Sequence, residues 1–125
     1  MLETVRARGY TIERSTPATA RLRDLLGELD SLSERSRPTV TALLHEIAAI
    51  EYLDEDLVAG RRYPVGVMSA PAFGRDSEAA LNISVYVWAD LDRAAIRRVG
   101  DRLSAAAITI TEAIGGTLPA AFPRP

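Results

Sequence analysis

The sequence predicts an α+β fold, a small antiparallel sheet backed by helices, and three observations carry that expectation. The apolar period changes from three-to-four to two at Tyr63. A short polar segment, Gly74-Arg75-Asp76-Ser77, separates two period-two stretches, and an apolar stripe at helical spacing runs from Ile96 to Ile114. A chain of 125 residues, 47% apolar and 26% charged, suffices for one hydrophobic core and rules out a second catalytic domain.

Leu2 and Val5 share one face of a short helix that Gly9 ends, because glycine readily takes a positive φ at a C-terminal cap. Tyr10-Thr11-Ile12-Glu13 reads as a short extended piece. Thr16-Pro17 starts a helix, with Thr16 as cap oxygen and Pro17 in the first helical position. Leu22, Leu25, Leu26, Leu29 and Leu32 carry that helix to about Ser33. Pro38 opens a second helix, whose stripe from Val40 through Leu43, Leu44, Ile47 and Ile50 to Leu57 leaves His45, Glu46 and Asp56 toward water until Gly60-Arg61-Arg62 closes it.

Residues 63–73 and 79–88 are the predicted strands, joined as a hairpin through Gly74–Ser77. If Phe73 pairs with Glu78, then Met68 faces Ile83, Ala70 faces Leu81 and Gly66 faces Val85, and one sheet face is apolar. The opposite face mixes Val67, Ser69, Pro71 and Phe73 with Asn82, Ser84 and Tyr86. Asp90 caps a long helix whose stripe is Ile96, Val99, Leu103, Ala107, Ile110 and Ile114, stopped by Gly115-Gly116. The domain therefore spans residues 1–116, and 117–125, with three prolines and no periodicity, is expected to be a poorly ordered tail. So small a sheet needs another surface to complete it, and a homodimer is expected.

Composition narrows the function classes. The net charge of −2 offers no basic field for nucleic acid or an anionic membrane surface. All 15 basic residues are Arg, and with 20 Ala this reflects GC-rich coding. The absence of Cys excludes disulfides, thiolate nucleophiles and Cys-ligated metals, and no long apolar run or secretory leader is present, so a cytoplasmic protein without a membrane span is expected.

No catalytic constellation stands out. His45 is the lone histidine, with Ala49 where an i+4 metal ligand would stand, so it reads as a solvated helix residue. Glu51, Asp54, Glu55 and Asp56 cluster at the end of the second helix without the interleaved Gly or Asn of a calcium loop, and read as surface. No nucleophile elbow, phosphate loop or dinucleotide fingerprint occurs, and neither Ser69 nor Ser84 has a histidine base nearby in sequence. No catalytic residue, metal or cofactor is assigned. Asn82, Ser84 and Tyr86 fit the solvated face of an amphipathic strand; covered by a helix or partner, they would instead need a polar ligand or water, which makes a small-molecule pocket. Trp88 reads as core packing, or as an anchor for the C-terminal helix or a dimer contact.

Three ordered segments resemble the effector-binding domain of the IclR family of bacterial transcription regulators, particularly its actinobacterial members. Leu2-Glu3-Thr4-Val5-Arg6-Ala7-Arg8-Gly9-Tyr10 resembles the family's Val-Arg-x-Arg-Gly-Tyr entry to a strand. Val67-Met68-Ser69-Ala70-Pro71-Ala72-Phe73-Gly74 is similar to its Ala-Pro strand. Ala80-Leu81-Asn82-Ile83-Ser84-Val85 and the helix through Ala105-Ala106-Ala107, Ile110 and Ile114-Gly115-Gly116 are similar to its last strand and helix. The resemblance implies a GAF-like half domain completed by dimerisation, non-enzymatic, with a pocket for a small organic effector. Carried over by position, the ligand-binding residues are Glu13, Val67, Asn82 and Ser84, with Ser69 beside them on the Ala-Pro strand. Thr16 to Ala59 departs from the short loop of many members and rebuilds the pocket wall. The family's winged helix-turn-helix and the first half of its sensing domain precede this point, so the expectation is a partial sensor without DNA binding of its own.

Two alternatives stand beside the sensor. A structural association module without ligand predicts Asn82 and Ser84 bonded to protein or open to water. A small enzyme using Glu13 as general base lacks a second group spaced to assist.

Overall fold

Threonine and proline at positions 16 and 17 illustrate how local chemistry sets the element boundaries. In the computed structural model, which describes residues 2–27, 38–39, 41–42, 45 and 51–124, Thr16 Oγ1 accepts from the Thr19 amide at 3.2 Å and Thr19 Oγ1 accepts from the Thr16 amide at 2.8 Å. This reciprocal cap opens helix α2 (Pro17–Gly27). Ahead of it lie α1 (Leu2–Arg8) and strand β1 (Thr11–Arg14), joined by a turn in which Gly9 takes φ +81° and donates to Val5 O. After it come β2 (Arg62–Phe73), β3 (Ala79–Asp92) and the long helix α3 (Arg93–Ala113). The result is an α+β fold in which the described residues form a three-stranded antiparallel sheet in the order β1-β2-β3.

The hairpin forms where the polar segment predicts it, but from Val67 to Ala72 its register lies two residues further along, and a second irregularity between Ala72 and Phe73 pairs Phe73 with Ala79 rather than Glu78. Met68 pairs with Val85, Ala70 with Ile83 and Ala72 with Leu81. An even shift preserves which side chains share a face, so from Val67 to Ala72 the apolar and mixed faces are those expected, whereas Phe73, past the irregularity, is buried against Phe122. The alternation breaks at Gly66. Opposite this residue β3 carries two, Val87 and Trp88, and β1 steps directly from Glu13 to Arg14. Above the bulge Met68, Ala70 and Ala72 are buried; below it Val65 and Tyr63 are. Gly66 therefore does not face Val85.

The same bulge lets β3 continue past residue 88 to Asp92. Asp92, not Asp90, caps α3, accepting from the Ala95 amide at 2.8 Å. Trp88 sits in the bulge with φ +48°, a conformation unfavourable for a bulky side chain. Its ring lies over Gly66 and 5.5 Å from the Arg23 guanidinium of α2, which is neither the C-terminal helix nor the core.

Residues 51–60 are not helical, contrary to the second-helix expectation. Leu53 donates to Ile12 O and Arg14 to Glu51 O, so residues 51–53 run along the free edge of β1. Leu53 enters the core and Leu57 packs against it. Pairing with the strand edge satisfies backbone groups that a helix would have satisfied internally. Residues 38, 39, 41, 42 and 45 are helical; the reach of α2 to Ser33 and the stripe from Val40 to Ile50 lie outside the described residues.

Helix α3 seats on β2 at close range. Its buried line is Ile96, Gly100, Leu103, Ser104, Ala107 and Thr111, rotated from the predicted stripe, so that Ile114 is exposed and Val99 and Ile110 are half-buried. A Cβ on Gly100 would collide with the Tyr10 ring, and one on Gly116 with the Phe73 carbonyl. Thr111 Oγ1 accepts from the Phe73 amide at 3.0 Å and donates to Ala107 O at 2.7 Å. Gly115 and Gly116 end the helix with amide bonds to Glu112 and Thr111 carbonyls, a Schellman closure. The segment after it is not a loose tail: Thr117 donates to Gly74 O, and Phe122 meets Phe73 edge-on at 5.4 Å. No helix among the described residues is long and apolar enough to cross a membrane.

Two substitutions test this seating. Thr111→Val keeps the shape but orphans the buried Phe73 amide, and should lower the unfolding free energy by about 1–3 kcal/mol in urea titration. Gly100→Ala should destabilise despite a helix-propensity gain of about 1 kcal/mol, because the Tyr10 ring must move; a stabilised variant would show that it yields freely.

Candidate functional site

The mixed face of the sheet gathers all five residues expected to bind ligand. Antiparallel partners point to the same side, so Glu13, Val67 and Tyr86 form one row across the sheet, Thr11, Ser69 and Ser84 the next, and Pro71 with Asn82 the third. Glu13 comes from β1, Val67 and Ser69 from β2, Asn82 and Ser84 from β3. Their spacing in sequence is large, and the strand register alone brings them together.

Burial grades across this face. Ser69 is 6% exposed, Glu13, Thr11, Val67 and Pro71 are half-buried, and Asn82, Ser84 and Tyr86 are exposed. The Ser69 and Ser84 hydroxyls lie 2.8 Å apart and share a hydrogen bond, and Thr11 Oγ1 donates to Ser69 O at 3.4 Å. Asn82 and Ser84 thus stand at the open side, one toward water and the other bonded to protein as well.

Glu13 is the one member with perturbed chemistry. Burial raises its carboxyl above the ordinary glutamate range. Among the described residues no cation lies within ion-pair distance of it; its neighbour Arg14 turns instead to Glu51 at 3.8 Å and Glu55 at 3.7 Å. A half-buried carboxyl without a cationic partner is a hydrogen-bonding group whose charge a ligand can modulate.

Other candidates resolve differently. His45 is exposed on its helix. The acidic residues 51–56 belong to the segment beside β1 rather than to a helix end, and no group of three or more His, Asp or Glu able to hold a metal gathers among the described residues. Two cavities of about 370 Å³ have described linings. One is mainly apolar and adjoins the mixed face, with which it shares Pro71; Val5, Arg6, Gly9, Phe73 and Phe122 also line it. The other is polar and lined by Arg8, Tyr10, Asp56, Leu57, Arg93 and Arg97. The one sequence signal for the second is the i,i+4 pair Arg93 and Arg97 at a helix start, which an arginine content set by coding bias masks.

Glu13 makes a pH test possible. The folded chain holds the Glu13 proton more tightly than the unfolded chain does, so its stabilising contribution is present at low pH and is lost as pH rises through the raised value. Glu13→Gln should therefore gain on the parent progressively in thermal unfolding as pH rises from the ordinary glutamate value through the raised one. A stability difference independent of pH would show the carboxyl to be solvated. No family model, curated protein or solved structure matches this chain.

Proposed function

We propose that the chain is a non-enzymatic, small-molecule-sensing module of the IclR type, acting as a homodimer without contacting nucleic acid itself. The observation that supports it is the convergence of Glu13, Val67, Ser69, Asn82 and Ser84 on one face that closes toward β1 and opens along β3. The segments that resemble the family are the ones that supply this face and its backing, namely α1 with β1, β2, and β3 with α3. A buried hydroxyl, a desolvated carboxyl and an exposed amide suit a small organic acid or aromatic effector.

The dimer reading rests on β3. From Ala79 to Ala89 it carries no charged residue and no proline, and it lies at the sheet's edge with Tyr86 73%, Leu81 52% and Val85 40% exposed. Edges left so unprotected suit pairing with a second copy. An effector on the adjacent face shifts that assembly only if it binds one state more tightly. A second reading, association without a ligand, is favoured by the exposure of Asn82 and the Ser69–Ser84 bond.

Sedimentation of the chain with and without small carboxylates and aromatic acids separates the readings. The expected result is a dimer that Val85→Lys dissociates, that at least one compound shifts, and whose response Ser84→Ala alters without unfolding. Association indifferent to every compound selects the ligand-free reading, and a monomer at all concentrations overturns both.

A further inference from the structure

We propose that the cleft between α1 and the start of α3, on the helix side of the sheet, binds a compact phosphate-type oxyanion, free or as part of a small molecule. Three arginines and one aspartate face a space of about 370 Å³ with Tyr10 and Leu57. Arg93 and Arg97 stand four residues apart in the first turns of α3, on the same face of the helix, where like charges repel. They also occupy the end at which the helix dipole disfavours cations, and the first turn holds no acidic residue. Among the described residues no carboxylate lies within ion-pair distance of Arg8, Arg93 or Arg97, although Asp56 shares the lining.

Arg8 is held from the other side of the cleft. Its guanidinium donates to Leu53 O at 2.9 Å and to Glu55 O, which fixes its plane and leaves further N–H donors for a guest. Tyr10 is 6% exposed, its ring against Gly100, and its hydroxyl, which has no hydrogen-bond partner among the described residues, keeps access to solvent. Burial, opposed by Arg8 and Arg97 and reinforced by Asp101, keeps that hydroxyl protonated and so a donor. Guanidinium forks and one hydroxyl around a common space match an oxyanion that accepts several hydrogen bonds and offsets the arginine repulsion. The volume exceeds that of a bare phosphate, leaving room for an organic part. This site shares no residue with the sheet face, so the two proposals stand or fall separately.

The test titrates the full chain with inorganic phosphate, and separately with glycerol phosphate, at constant ionic strength set with chloride, following the amide resonances of Tyr10, Arg93 and Arg97. Saturable shifts at these residues are expected. Arg97→Gln, at an exposed position, and Tyr10→Phe should each weaken Kd by about tenfold, whereas Arg102→Gln, outside the cleft on the same helix, should leave it within about twofold. Tighter binding of glycerol phosphate assigns the remaining volume to an organic part, and equal binding assigns the cleft to the free ion. No saturable shift into tens of millimolar phosphate, or a loss in Arg102→Gln equal to that in Arg97→Gln, overturns the proposal.

Discussion

The close seating of α3 on β2 is the constraint on which the rest of this fold depends. Small residues make it possible: Gly100 admits the Tyr10 ring, Ala107 is fully buried, and Gly116 lets the helix end meet the Phe73 carbonyl. One buried hydroxyl then ties the layers together, since Thr111 satisfies the Phe73 amide at the point where β2 ends and the hairpin turns. With the helix fixed at both ends of its buried line, the apolar face of β2 is sealed. The other sheet face is correspondingly left for other chemistry.

That arrangement explains why β2 is buried almost throughout while β3 is not. β2 is central, flanked by β1 and β3, and α3 makes its more extensive contacts with it. The rotation of the buried helix line toward Gly100, Ser104 and Thr111 turns Ile114 outward and leaves Val99 and Ile110 at the border. Thr111 is tolerated in the line because its hydroxyl is partnered.

Much of this was legible from residue order. The hairpin and its two faces follow from period-two alternation, and they survive a register error because that error is even. The cap at Thr16 follows from its hydroxyl, and the one at Gly9 from the positive φ that glycine admits. What escaped were features set by tertiary contact. The bulge at Gly66 moves the strand end, and with it the cap, from Asp90 to Asp92, and nothing local distinguishes those two aspartates. Leu53 and Leu57 fit a helical stripe as well as they fit a segment beside β1, and only the free edge of Ile12 and Arg14 decides between them. The sheet-face residues could be grouped because strand parity relates them. The arginine cleft could not, since Arg8 reaches Arg93 and Arg97 only through the seating of Tyr10 on Gly100.

The bulge also gives the molecule a built-in optical probe. Trp88 is the sole indole in the chain, and it is wedged between a glycine of the central strand and a guanidinium of α2. Its emission therefore reports on the surroundings of the bulge, where the Arg23 guanidinium lies over its ring. Movement of α2 can be followed in the unlabelled protein, because no second fluorophore of this kind contributes background.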